Sequence, residues 1–378
     1  MIYFNNAATT YPKPQCVQDA CTAVFHKLPE GQYRSTESSG RGDIFSDCRE
    51  KLGRLFGIRE DKRIHFTSGS TEALNKILYG LRIPAGQILT TVTEHNSVLR
   101  PLYNMPSVKG EPVIVPCDKI GRVSPEAIKQ KITADKNIRA VIINHCSNVT
   151  GYIQEMDEIA GMVKERGLLL IVDISQSGGC IPVDADGWGA DALAFTGHKS
   201  LFGIQGSGGY YVRSGIPFSP MFFGGSGKDS ERLIYDEENY EYDTGTQNGM
   251  GAAALSAGAD YILDRGVETI QVGEQEKIGY LYQELSGNTK IVTYGKEKEN
   301  KGPVFSFNIR GLAASDTAYI LQNGYGIVTR AGLHCAPLIY AYLGTEKNGT
   351  VRAGISDLNT WAETEEFVRA VREICNCV

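Results

Sequence analysis

No apolar run in this chain approaches the roughly 18 residues that a membrane-spanning helix needs, so no membrane association is expected. The opening segment, MIYFNNAATT, lacks a basic stretch followed by a long apolar one, and no secretory leader is expected from it. Long runs of one charge are missing too. The stretch GKEKENKG at 295–302 mixes signs and reads as a solvated turn. A net charge of −6 offers no basic footprint for nucleic acid. The nine cysteines have no framework spacing, and Cys375 and Cys377 alone are too few ligands for a zinc site. A reduced, cytoplasmic compartment without a metal is the expectation, with most cysteines acting as small buried hydrophobes. Internal repeats and low-complexity segments are also absent.

What remains is an ordinary globular composition, 378 residues with 42% apolar and 22% charged side chains. That length suits one large domain with a smaller companion. From 63 to 215, apolar runs alternate with helical patterns. Strands are predicted at 63–67, 87–92, 111–116, 138–144, 168–173, 191–195 and 207–212. Helices are predicted at 70–81, from 96, at 124–132 with Ser124 as N-cap and Pro125 at its first position, and at 156–167, closed by Gly167. Nearly continuous apolar strands separated by helices predict an α/β fold, with a mostly parallel sheet of about seven strands covered on both faces. Ligands of such sheets bind beyond the carboxyl ends of the strands. Residues 217–248 form a Gly- and Tyr-rich excursion without a period, and excursions of this length are usually functional. A long helical stretch over 248–286 is then predicted. After it come strands at 304–309, 325–329 and 349–354, and helices at 314–324 and 360–374. The division predicted is a large domain over 15–250 and a small C-terminal α+β domain over 251–378, joined by residues 1–14.

Five strand-end loops carry polar clusters. After 63–67, SGSTEALN places Ser70 and Thr71 at a helix start, where free N–H groups and the helix dipole suit a phosphate; the same residues also make ordinary caps. His95 follows the strand 87–92 and can stack on a ring or shuttle a proton. Asn148 follows the strand 138–144. Asp173 ends a buried strand, where a carboxylate needs a cation or donors, and Gln176 lies three residues on. Thr196, His198 and Lys199 follow the next strand in a Gly-flanked loop, where a lysine can be desolvated and form a Schiff base. A phosphate cradle, a buried carboxylate for a pyridinium nitrogen, a Schiff-base lysine and a stacking imidazole are together the requirements of pyridoxal 5′-phosphate.

The motifs NNAAT, FTSGSTEALN, TEHNS, SNVTG, VDISQ, FTGHKSLFG, TGTQN, RAGLHCAP and GTVRAGIS, in this order, resemble the class V aminotransferase-like enzymes of pyridoxal-phosphate fold type I. Within them the chain is similar to the cysteine desulfurase and selenocysteine lyase branch. The resemblance implies that Lys199 carries the cofactor, Asp173 pairs with its ring nitrogen, Gln176 bonds its phenolic oxygen and His95 stacks on the ring. It implies that Ser70, Thr71, Thr196 and His198 hold the phosphate. Thr246 of the GT motif would reach the phosphate of a second subunit, which implies a homodimer. Asn148, Arg330 and Arg352 would attend the substrate, Arg352 by a bidentate grip on the α-carboxylate. Cys335 matches the catalytic cysteine that takes sulfur from L-cysteine as a persulfide and leaves alanine, with His334 and Arg330 placed to favour its thiolate. L-selenocysteine cleavage, or another class V reaction such as transamination or carbon–sulfur β-elimination, is the alternative on the same scaffold. The branch commonly has a second histidine before the cysteine, and here Leu333 stands in that place. A short loop around Cys335 implies that a sulfur or selenium acceptor protein comes to the site.

Overall fold

The computed structural model describes residues 1–26, 43–84, 86–104, 111–225, 231–234, 243–295 and 300–378. The described residues hold thirteen strands: β1 (Ile2–Tyr3), β2 (Ile64–Thr67), β3 (Gln87–Thr91), β4 (Val113–Val115), β5 (Ile138–Asn144), β6 (Leu169–Asp173), β7 (Ala192–Thr196), β8 (Gly208–Val212), β9 (Ile291–Tyr294), β10 (Val304–Ile309), β11 (Ile327–Val328), β12 (Arg330–Gly332) and β13 (Thr350–Gly354). β2 to β8 form one seven-stranded sheet in the order β2-β8-β7-β6-β5-β3-β4. β8 runs antiparallel to both its neighbours, and the remaining pairs are parallel. β5 shows why its sequence is apolar throughout. Val141 and Ile143 pack into the core on one face of the sheet, and Ala140 and Ile142 into the core on the other. Burying each large aliphatic side chain contributes on the order of 1.5–3 kcal/mol.

The second sheet has the order β12-β13-β10-β9 and is antiparallel throughout. Its own core contains Phe305, Phe307 and Phe367, and Phe4 reaches it from the chain start. β1 pairs in parallel with β11, which ties the first residues to this unit. The closing helix, Trp361–Asn376, starts with a capping box in which Thr360 and Glu363 satisfy each other's backbone N–H groups.

Four expectations needed adjustment. The helical stretch 248–286 is two helices, Gly249–Arg265 and Val267–Leu285, because Gly266 adopts φ +83 between them. The run 325–329 keeps only β11 as strand: Tyr325 still belongs to the helix Ala314–Tyr325, Gly326 closes that helix, and residue 329 links β11 to β12 in the other sheet. Ser124 precedes its helix but makes no side-chain cap. Lys301, placed in a solvated turn, is buried. Its ammonium donates to the Gly295 carbonyl (2.6 Å), the Tyr282 hydroxyl (2.8 Å) and the Thr150 carbonyl, which offset the loss of water. Part of the excursion 217–248 and residues 296–299 of the stretch 295–302 lie outside the described residues. Among the described residues, no helix is long and apolar enough to cross a membrane.

Candidate active site

The loops that follow β2, β3, β5, β6 and β7 converge beyond the carboxyl edge of the large sheet. Ser70, His95, Asn148, Asp173, Gln176 and Lys199 line one cavity there, with Ser97, Asn144, Cys146 and Ser175. Lys199 owes its place to strand direction. β7 and β8 are adjacent and antiparallel, so no covering helix is needed between them. The chain folds back over the sheet edge and carries the lysine with it.

Each side chain in the cavity is held by near neighbours. Asp173 Oδ1 accepts from the Ser175 backbone N–H (2.9 Å) and hydroxyl (2.5 Å), while no hydrogen bond from a described residue reaches its other oxygen. Burial pushes its carboxyl up, and those two bonds together with the Lys199 charge oppose the shift. Burial likewise pushes the Lys199 ammonium down to about 8; Asp173 opposes that, and Arg352 and Arg330 add to it. About a tenth to a fifth of this lysine is therefore neutral at about pH 7 to 7.4, far more than of an ordinary lysine, which favours its action as a nucleophile. His95 accepts the Ser97 backbone N–H at Nδ1 (3.0 Å), and its value is driven to about 3 by burial and then by the Lys199, Arg330 and Arg352 charges. The ring is thus neutral, with its proton on Nε2. Gln176 donates to the Ala7 carbonyl (3.0 Å).

The phosphate-type end is equally prepared. The helix Ser70–Gly80 begins at Gly69 with no side-chain cap, which leaves its first N–H groups free beside the cavity. Thr196 is buried, and its Oγ1 lies 3.6 Å from where a Cβ on Gly69 would stand. His198 has a buried Nδ1 without a partner, and burial lowers its value to about 4. Thr71 and Thr246 are exposed in the single chain.

The small sheet brings two further charges close to Lys199 and His95. Arg330 and Arg352 stand directly across from each other on β12 and β13. Like charges in that register repel. Arg352 is 1% exposed, and only its Nη1 is engaged, donating to the Asn148 carbonyl (2.9 Å); Nε and Nη2 are buried without partners. Burial and Arg330 lower it to about 10. Two buried guanidinium donors without partners have the chemistry that suits a carboxylate.

Cys335 lies beyond β12 in a turn where both His334 (φ +46) and Cys335 (φ +60) are left-handed. Its Sγ accepts from Arg330 Nη2 at 3.5 Å. His334 does not assist the thiol as its sequence position implied. Its Nε2 is bonded to Thr350 (3.1 Å), and burial, then the two arginines, push its value well below the ordinary range, so it is neutral.

Several contributors were not singled out beforehand. Ser97 and Ser175 each sit two residues beyond the group they orient, a spacing that hydroxyl side chains favour for local bonds and that could have identified them. Thr10 and Lys13 bind the carbonyls of His198 and Lys199 from a separation of some 190 residues, and nothing local signals this. A wider groove lined by Glu50, Arg54, Arg59, Asp61, Asp184 and Asp186 contains neither lysine nor histidine.

With this geometry in hand, the comparisons with known proteins agree. The family Aminotransferase class-V matches residues 2–367. A probable cysteine desulfurase of Pyrococcus abyssi is 31% identical over 99% of this chain and 94% of its own length. One of Methanothermobacter thermautotrophicus is 30% identical over 98% and 94%. The apo structure of a cysteine desulfurase from Thermococcus onnurineus superposes with a TM-score of 0.87 at 29% identity, covering 100% of this chain and 95% of that one. Matched over nearly its whole length in both sequence and fold, the chain belongs to the class-V aminotransferase family, on the branch of its cysteine desulfurase relatives.

Proposed function

We propose that this chain is a pyridoxal 5′-phosphate-dependent cysteine desulfurase that converts L-cysteine to L-alanine and receives the sulfur on Cys335. One observation carries the reading: a partly neutral lysine and a buried carboxylate line one cavity, and the Arg352 guanidinium, with two unpaired donors, and the Cys335 thiol lie close enough to act on that lysine's charge. The desulfurase names of the relatives favour L-cysteine over L-selenocysteine.

The residues fit the cofactor. The uncapped helix start at Ser70, with Thr196 and the unpartnered Nδ1 of His198, would hold its phosphate. The free oxygen of Asp173 would hold the proton of the ring nitrogen, Gln176 would meet the phenolic oxygen, and neutral His95 would lie on the ring. Lys199 would anchor it covalently. When bound, the cofactor supplies an electron sink for bond breaking next to the substrate amine. Arg352 grips the substrate carboxylate through Nε and Nη2. Lys199, released from the cofactor, takes the α-proton. The Cys335 thiolate then attacks the substrate sulfur. The carbon–sulfur bond breaks as a sulfur–sulfur bond forms, so cysteine and the enzyme thiol become alanine and an enzyme persulfide without an external oxidant. Arg330 Nη2 stands 3.5 Å from that sulfur.

We further propose a homodimer in which Thr246 serves the partner's phosphate; its exposure in the single chain is compatible with that role. An acceptor protein would meet the persulfide at the Cys335 turn. We also propose a division into a large domain, 15–250, and a small one, 251–378 with 1–14; two separate cores suit two domains, while Ala254, Leu255, Ala259 and Ile262 of the helix Gly249–Arg265 pack into the larger core. Purified protein with pyridoxal phosphate should be yellow and release alanine from L-cysteine. Cys335→Ala should keep the colour and lose turnover by about 10²-fold. A colourless wild type, or full cysteine turnover in the variant, overturns the reading.

A further inference from the structure

The side chain assigned above to the substrate is already engaged elsewhere. Asn148 Nδ2 donates to the backbone carbonyl of His334 at 2.6 Å, in a buried contact across 186 residues of sequence. The acceptor is a carbonyl, so the amide must present its N–H there and its orientation is unambiguous. The next carbonyl, that of Cys335, accepts the Asn96 backbone N–H at 2.7 Å. Thus two consecutive carbonyls of the thiol turn are held by two different loops of the large sheet, those after β5 and β3. The turn needs holding, because His334 and Cys335 are both non-glycine residues in the left-handed region, which persists only where surrounding contacts over-determine it. From the other side, the Asn148 carbonyl receives Arg352 Nη1, and Asn148 itself lines the cavity.

We propose that Asn148 is the positioning residue of Cys335: its amide fixes the left-handed pair and thereby sets where the thiol stands relative to the cavity. The proposal rests on the desulfurase reading for its purpose, and on the hydrogen bonds alone for its geometry. One residue then serves Arg352 through its backbone carbonyl and the sulfur acceptor through its side-chain amide, while lining the cavity. The thiol is held in the substrate-free protein and is not recruited by substrate.

The test is alkylation of substrate-free holoenzyme by iodoacetamide, with the modification of Cys335 followed by peptide mass spectrometry because the chain has nine cysteines. Asn148→Ala should change the Cys335 alkylation rate by about tenfold, the consequence of losing one buried hydrogen bond to the turn. Asn148→Asp, which keeps the size but sets an acceptor against the carbonyl, should do the same. Cofactor absorbance retained by either variant certifies the fold. In turnover, kcat should fall more than KM rises. An unchanged alkylation rate together with a raised KM would mean that Asn148 serves the substrate alone, and the proposal fails. If instead wild type takes up no cofactor or turns over no cysteine, the desulfurase reading fails, while the alkylation comparison still reports on the turn.

Discussion

Asp173, His95 and Lys199 each lie within five residues of the strand that carries them, and the first two are oriented by serines two residues further on. Cys335 depends on contacts from 186 and 239 residues away, the Asn148 amide and the Asn96 N–H. The cavity floor is therefore a local product of strand ends, repeated around one sheet edge. The thiol wall is a product of two sheets meeting. At Asp173 and His95 the floor tolerates remote changes because those loops bring their own serines, whereas the Lys199 loop also leans on Thr10 and Lys13. A wall of the second kind transmits any shift between the sheets straight to the reacting sulfur.

The comparison can be broken most severely at the floor. Lys199→Ala should lower cysteine turnover by about 10³-fold or more, because covalent anchor and proton carrier go together. The yellow colour of the holoenzyme should go with it, as visible absorbance would check. A variant that keeps the colour would place the anchor elsewhere. At the wall, Arg352→Ala should raise KM for L-cysteine by about 10²-fold, the usual cost of removing a buried charge partner. Steady-state kinetics decide this, and an unchanged KM would remove the carboxylate role.

A pH series sharpens the floor further. Lys199 is held down to about 8 and must be neutral to attack. Capture of added pyridoxal phosphate by cofactor-free protein should therefore rise about tenfold per unit below that value and level off above it. A rise continuing unbroken toward 10.5 would show that burial does not control this lysine. The sign for stability follows. The unfolded lysine keeps its proton to higher pH than the folded one, so the cofactor-free protein should gain stability as pH climbs from about 8 toward 10.5. The smallest effect is expected at Leu333, which is 42% exposed beside the turn. Leu333→His should alter turnover by no more than about twofold, as for most surface replacements. A larger gain would mean that the missing histidine matters to the chemistry.

Much of the floor was legible beforehand. Apolar runs of strand length specify their own burial on both faces, and the groups that end them must emerge at one edge of a parallel sheet. The residues 173, 176 and 199 could be placed there from spacing alone. The turn was legible as a motif but not as a mechanism. His334 precedes Cys335 in sequence, which favoured partnership, whereas consecutive left-handed residues send the ring to Thr350 and leave Arg330 beside the sulfur. Lys301 misled for a similar reason, because oxygens of Gly295, Tyr282 and the distant Thr150 converge on a residue whose neighbours are polar.

By itself the sequence determined the periodicities, and with them the α/β layering, the strand-end loops and the residue types within them. These depend on interactions over a few residues, which composition and spacing record directly. The tertiary structure alone decided which carbonyl each amide meets, which guanidinium donors are left without a partner, and that Arg352, Asn148 and the turn of Cys335 are joined by hydrogen bonds. Those outcomes depend on the closure of contacts across nearly two hundred residues, and no local preference encodes them.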